Sequence, residues 1–414
     1  LKQLFRNRVF LIVASVDLIQ QLGIWVRNMA LLFYVMDQTG NDPVAVSLLT
    51  VFEYLPIFVF SMIGGTLADR WNPKRTMIAG DALSALSIAV ILAFIEAGWW
   101  QAVFAATIVS AVVSQFSQPS SSIMFKRHVP EELVPAAIGV TQSLMSLFVI
   151  VGPMIGTAVY VWLGVSTSLL ILVIAFAAAA LIQLALPAYV REKRPDNSSV
   201  WSEMAMGLRY VGGQRNLLLI TAAFALIGLG SGLIQPLDVF LITERLGLDK
   251  EDLKWFYALS GIGMLVGGGA AAVFGRKANP RIVVASAIVF LSASIVVEAL
   301  SVWVGLTATM RFLVGGALTF MQIILGTALI SMVAEAYIGR VNGTIVPVMM
   351  AGMLIGSGLS GFLMKSTGLV PAYIIAAAIV LLAAPVAMRM KIDRPKDAEP
   401  SLPIAQGETA DAAL

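Results

Sequence analysis

The sequence predicts an all-α polytopic membrane protein, with twelve transmembrane helices in two pseudo-symmetric six-helix halves around a central cavity. Three observations carry that expectation. Of 414 residues, 59% are hydrophobic and 12% are charged, about half the charge fraction of a soluble domain. The apolar residues gather into segments of about 20 or more, the length that crosses roughly 30 Å of hydrocarbon as a helix. The bases are concentrated in alternate short connections, the bias that sets topology.

Taken in order, the first span covers 9–36 and follows Lys2, Arg6 and Arg8. Its polar residues Asp17, Gln20 and Gln21, and the lack of a small-residue cleavage site, separate it from a secretory leader. Spans two to six are 44–65, 76–98, 101–124, 135–161 and 166–188. A polar connection, 189–216, follows. Within it Trp201, Met204, Leu208 and Tyr210 are spaced as on a short amphipathic helix lying at the membrane surface. Spans seven to twelve are 217–240, 253–275, 282–303, 306–332, 342–364 and 369–390. The tail 392–414, with Pro400, Pro403 and small or acidic residues, reads as disordered. The organisation is therefore a first half at 1–188, a central loop at 189–216, a second half at 217–391 and a tail at 392–414.

With the N-terminus inside, most of the 27 Lys and Arg fall on one side, including Arg70, Lys74, Arg127, Arg194, Arg281 and Arg389. Both termini are thus expected in the cytoplasm, and Trp99, Trp100, Trp162, Trp255 and Trp303 at the opposite membrane interface. Two landmarks recur. Asp69-Arg70-Trp71-Asn72-Pro73 aligns with Arg276-Lys277-Ala278-Asn279-Pro280, and Val129-Pro130-Glu131 with Val333-Ala334-Glu335, at nearly the same offset. Recurrence of that kind favours two related halves.

Composition also excludes chemistry. There is no cysteine and one histidine, His128 in the basic run Lys126-Arg127-His128. Disulfides, thiolate metal sites and Ser-His-Asp catalysis have almost nothing to stand on. No metal, no cofactor and no enzymatic activity are expected. The bases sit in short loops, so nucleic acid is not implied, and a monomer is expected.

Charges inside spans are costly unless paired or facing water, which makes each a functional candidate. Span one carries Asp17 and Arg27, and at about 100° per residue Gln21 and Asn28 share the Asp17 face. That polar face is expected to line the cavity. By helix rise Asp17, Glu53 and Arg27 lie about 12, 18 and 27 Å above the N-terminal side. Glu53 is therefore placed to share Arg27, and Glu53 or Asp17 is a candidate proton site. The competing reading is a permanent ion pair clamping spans one and two. Asp81 is expected to partner the neighbouring basic loop. Asp238 and Arg311 are candidates for an outer gate, or reach interfacial water. Phe52, Tyr54, Met349, Met350 and Met353 are candidates for a deformable cavity surface, or for ordinary packing.

The stretch Gly64-Gly65-Thr66-Leu67-Ala68-Asp69-Arg70-Trp71-Asn72-Pro73-Lys74-Arg75 joins spans two and three. Its glycines permit close helix approach, and Asn72-Pro73 makes a tight turn. It resembles the signature loop of the major facilitator superfamily, Gly-x-Leu-Ala-Asp-Arg-x-Gly-Arg-Lys. Gly65, Leu67, Ala68, Asp69, Arg70 and Lys74 match, while Asn72 and Pro73 replace Gly-Arg. Gly152-Pro153-Met154-Ile155-Gly156 resembles part of the family's antiporter motif. Gly207-Leu208-Arg209-Tyr210 and Gly339-Arg340-Val341 resemble the macrolide-efflux and siderophore-exporter branch. The fourth span departs from the antiporter pattern, because 101–124 contains no arginine.

This resemblance implies a secondary transporter exporting amphiphilic or hydrophobic small molecules by alternating access, with proton antiport. Gly65, Asp69, Arg70, Lys74 and Asp81 would then form the gating loop, and Gly152, Pro153 and Gly156 the antiporter bend. The implied partners are the small-molecule substrate, protons and membrane lipid, in a bacterial inner membrane. A lipid or lysolipid translocator on the same fold is the alternative; a receptor or scaffold is a further one.

Overall fold

The computed structural model describes residues 3–187, 200–275, 278–334 and 337–390. At 61–70, 114–119, 200–204 and a few positions between 106 and 142 it describes the backbone alone. The tail expected to be disordered, 392–414, and residues 189–199 of the central loop lie outside the described residues.

Helices follow one another with short connections, and no strand occurs among the described residues. The first six predicted spans are α1 (Arg8–Thr39), α2 (Pro43–Arg70), α3 (Pro73–Glu96), α4 (Ala102–His128) and α5 (Val134–Leu184). After them comes α6 (Val200–Gly213). The remaining spans are α7 (Arg215–Ile234), α8 (Leu253–Phe274), α9 (Pro280–Leu300), α10 (Val304–Met332), α11 (Ile338–Thr367) and α12 (Leu369–Met388).

Helix α5 holds two spans rather than one. It is 51 residues long and breaks at Gly164, where φ 73° and ψ 178° lie outside any helix and favour glycine. The Tyr160 hydroxyl bonds Asp37 at the end of α1, whereas Leu184 lies back beside Lys74 at the start of α3. The chain therefore turns at Gly164 and recrosses. Ten helical stretches among the described residues are long and apolar enough to cross a bilayer, α5 among them, and α4 is apolar over Ala102–Val113. That tally is consistent with twelve spans. Below, the near side is that of the N-terminus and Lys74, and the far side that of Asp37.

The two Asn-Pro pairs do the same local work. Asn72 accepts a hydrogen bond from the Arg75 amide and Pro73 opens α3; Asn279 accepts from the Arg281 amide and Pro280 opens α9. Each pair satisfies an orphan donor and presets the first helical turn. They begin the third and ninth spans, the equivalent places in a six-plus-six arrangement.

Close packing depends on small residues. A methyl built on Gly228 or Gly232 of α7 falls 2.4 or 2.3 Å from the carbonyl of Met349 or Met353 in α11. One on Gly263 falls 1.9 Å from the Phe312 carbonyl, so α8 and α10 touch backbone to backbone. Large apolar side chains such as Leu86, Ile174, Leu181, Val273 and Ile330 remain exposed along the spans, the surface that a bilayer covers.

A helix is present at the expected place in the central loop as α6, and it packs against the start of α11. Gly207 meets the Arg340 carbonyl and Thr344 Oγ1, and Tyr210 stacks on Tyr337 at 4.2 Å. The missing side chain at Gly207 is what lets α6 lie against the start of α11.

Candidate functional site

A cavity of about 250 Å³ lies between the first and second sets of spans. Trp25 and Asn28 of α1, Thr50, Glu53 and Tyr54 of α2 and Thr107 of α4 line it from one side. Gln235, Pro236 and Val239, which follow α7, and Leu253 and Tyr257 of α8 line it from the other. The wall is therefore part aromatic, part amide and carboxylate.

Two local devices shape this wall. Gly152 and Gly156 let α5 approach α1 so closely that a methyl on Gly152 would fall 2.3 Å from Trp25 Cδ1, and one on Gly156 2.6 Å from the Trp25 carbonyl. Pro153 lies between them inside the helix. The Gly-Pro-x-x-Gly stretch thus fixes where the Trp25 indole stands, with its ring 6.3 Å from that of Tyr257 across the cavity. On the opposite wall α7 stops at Ile234, and Gln235-Pro236-Leu237 forms a 3-10 turn. Proline cannot donate the next helical hydrogen bond, and the break turns Gln235 toward Tyr54, whose hydroxyl donates to Gln235 Oε1 at 3.1 Å.

Glu53 and Arg27 meet at the cavity wall, as helix rise led us to expect, but loosely. Arg27 Nη2 is 3.5 Å from Glu53 Oε1. The guanidinium is held more tightly by Asn28 Oδ1, at 3.1 Å from Nε and 2.8 Å from Nη2. Arg27 is buried while the Glu53 side chain is 29% exposed. Buried charge, amide and accessible carboxylate are thus arranged in depth.

The polar stripe of α1 does not act as a unit. Asn28 reaches the cavity, but Asp17 and Gln21, about 16 and 10 Å nearer the N-terminal side by helix rise, face α5 in a gap too small for a ligand beside Thr141 and Met145. Ser121 Oγ is 3.4 Å from Asp17 Oδ1. Gln20 turns to Asp81 instead. Asp81, expected to answer the basic loop, is buried and accepts from Gln20 Nε2 at 2.7 Å and Gln183 Nε2 at 2.6 Å. Two amides at the junction of α1, α3 and α5 displace the expected base. Lys74 caps the carbonyls of Leu184 and Leu186. The backbone of α2 runs through Gly65 to Arg70, and the side chains of Asp69 and Arg70 lie outside the described residues.

Of the aromatic and thioether candidates Tyr54 lines the cavity, and Trp25, Met29 and Tyr257, which the sequence reading left out, line it too. Phe52 packs on Phe104, ring to ring at 5.2 Å. Met349, Met350 and Met353 are not among the lining residues; Met349 and Met353 sit where α11 packs on Gly228 and Gly232.

Two ion pairs tie the far side together. Lys250, before α8, pairs with Asp37 of α1 and lies over the rings of Phe33 and Tyr160. Lys365 of α11 is 3.6 Å from Asp42, before α2. Asp238 and Arg311, expected near the far surface, pair with each other inside the second set of spans. Arg311 Nη1 and Nη2 lie 3.1 and 2.7 Å from the Asp238 oxygens, and Nη2 is also 2.9 Å from Glu298 Oε2. Glu298 was not singled out in the sequence, where it lies five residues from the expected end of its span at 303.

Membrane-crossing helices around a polar cavity lined from both parts of the chain define a polytopic membrane transporter. The family follows from comparison. A sequence profile described as Major Facilitator Superfamily matches residues 13–345 and 220–412, and the chain belongs to that family. It is 26% identical over 286 residues to Macrolide efflux protein A of Streptococcus pyogenes, covering 66% of this chain and 69% of the relative. It is 24% identical over 414 residues to Multidrug efflux pump Tap of Mycobacterium tuberculosis, covering 96% and 97%. The crystal structure of nucleoside transporter NupG superposes with a TM-score of 0.72 at 15% identity, covering 92% of this chain and 98% of that one.

Proposed function

We propose that the protein is a secondary active exporter of amphiphilic or hydrophobic small molecules, working by alternating access in a bacterial inner membrane with both termini in the cytoplasm, and driven by proton antiport. The observation that carries this reading is Glu53, a partly exposed carboxylate loosely held 3.5 Å from buried Arg27 at the wall of a cavity between the two halves. The functions named for two relatives, macrolide and multidrug efflux, support the direction and substrate class.

In the cycle we infer, a proton reaching Glu53 from outside cancels its charge. Its attraction for Arg27 and for a cationic substrate then falls together. Release of the substrate outward requires the far-side pairs, Lys250 with Asp37 and Lys365 with Asp42, to separate. Their re-formation accompanies return of the cavity to the cytoplasm, where the proton leaves.

The test is uptake of a fluorescent lipophilic cation into inside-out vesicles with an acidic interior, comparing wild type with Glu53→Gln and Asp17→Asn. Accumulation that needs the gradient and is lost in Glu53→Gln is expected. No gradient-dependent accumulation in wild type overturns antiport. Movement of a fluorescent lysolipid alone, without a gradient, replaces export of small molecules with lipid translocation.

A further inference from the structure

Away from the cavity, one guanidinium faces two carboxylates inside the second set of spans. Asp238 and Glu298 are 5% and 4% exposed. Arg311 gives Asp238 a two-pronged bond and Glu298 a single one through Nη2. Charges on surrounding elements do not balance the account. From α12 the buried Tyr373 hydroxyl donates to Asp238 Oδ1 at 3.3 Å. From α8 Tyr257 lies within electrostatic reach of Asp238 and Arg311. On the segment after α7, Glu244 is exposed and Arg245 gives its Nη2 to the Leu300 carbonyl. Among the described residues no second cation pairs with either carboxylate.

We propose that Asp238, Glu298 and Arg311 form a second ion-binding site, in which the two carboxylates share one exchangeable proton. With both ionised, the cluster carries an uncompensated negative charge in a low-dielectric interior, where it is strongly disfavoured. One proton restores neutrality, and in so close a pair that proton belongs to the pair rather than to either residue.

The geometry also gives the proton something to act on. Arg311 Nε is buried with no hydrogen-bond partner, so the guanidinium has unused capacity to shift between the two acids. Asp238 lies three residues after Gln235 and directly after the turn that lines the cavity. A change in Arg311's grip on Asp238 therefore acts on the segment that holds the Tyr54–Gln235 bond across the two halves. The proton occupancy of the cluster is thereby linked to the shape of the cavity wall. That link rests on the transport reading above; the proton itself does not.

The experiment is infrared difference spectroscopy of the purified full chain in lipid across a pH titration, following the stretch of protonated carboxyl groups. Wild type is expected to show a titrating band that disappears in both Glu298→Gln and Asp238→Asn, since either change leaves a neutral pair with Arg311, and that persists in Glu53→Gln. If neither Glu298→Gln nor Asp238→Asn removes any titrating band, the proposal is overturned, as it is by the absence of any titrating band. Loss of the band in Glu53→Gln alone also overturns it, moves the proton to the cavity and leaves proton-driven export standing. If instead the band behaves as expected while vesicles show no gradient-dependent uptake, the cluster stands and the export reading fails.

Discussion

Trp25 and Gly152 fit each other: the indole of α1 occupies the space that any side chain at 152 would need, with Cδ1 2.3 Å from the position of a built methyl. Four residues on, the obstacle at Gly156 is the carbonyl of Trp25 itself, at 2.6 Å. The difference between a side-chain and a backbone obstacle gives the first prediction. Overpacking at such a contact costs about 1–3 kcal/mol. Gly152→Ala is expected to lower the thermal midpoint and slow uptake, and Trp25→Leu to restore the midpoint by removing the ring. Gly156→Ala is expected to be at least as harmful and not rescued by Trp25→Leu. Thermal unfolding of the four variants in detergent reads this directly, and equal rescue at both positions would refute the assignment.

Lys250 and Asp37 make the second testable pair. The Asp37 side chain is half exposed, so the bond is worth about 0.2–1 kcal/mol, as partly exposed pairs are. Breaking it with Lys250→Gln is expected to raise the far-side-open population by up to about fivefold, following that energy. Leu49 lines the cavity and the chain has no cysteine, so a single Leu49→Cys reports access without background. Faster labelling of Leu49→Cys by a membrane-impermeant maleimide added outside intact cells, in the Lys250→Gln background, is the expected result. An unchanged rate would mean that the pair does not hold the far side.

The sequence was most informative where one helix or one turn decides the outcome. Span positions followed from apolar length, and the Asn72-Pro73 and Asn279-Pro280 starts followed from capping chemistry. Counting rise along α1 and α2 placed Glu53 in height between Asp17 and Arg27, near enough for the carboxylate to share the arginine. Helical periodicity could place Asp17, Gln21 and Asn28 on one stripe, but a stripe does not say which neighbour it meets at each height. Here α5 takes its lower part and the cavity its upper part. Met349 and Met353 lie away from this cavity for a related reason: their partners are Gly228 and Gly232, over a hundred residues away in the chain. Gln235, Tyr257 and Glu298 carried no local signal, and each acquires its meaning only from a residue on another span.

Asp81 tests the gap between a gating and a structural role. Its carboxylate is buried and accepts from two amides, Gln20 and Gln183. Leucine at 81 would leave the buried Gln183 amide without a partner, at about 1–3 kcal/mol, and take the partner from half-buried Gln20 as well, so Asp81→Leu is expected to lower stability severely. Asparagine offers one acceptor and one donor, and would be poor if both glutamines had to keep donating. Gln183 Oε1, however, is buried and has no hydrogen-bond partner. Turning that amide over lets it accept from the introduced asparagine's amide while Gln20 keeps its bond. Asp81→Asn is therefore expected to cost less than about 1.5 kcal/mol, one hydrogen bond at most, and to leave uptake near wild type. Thermal unfolding and vesicle uptake measured on both variants decide between the roles. If Asp81→Asn keeps its stability and still abolishes transport, the negative charge itself is required and Asp81 belongs to the gate.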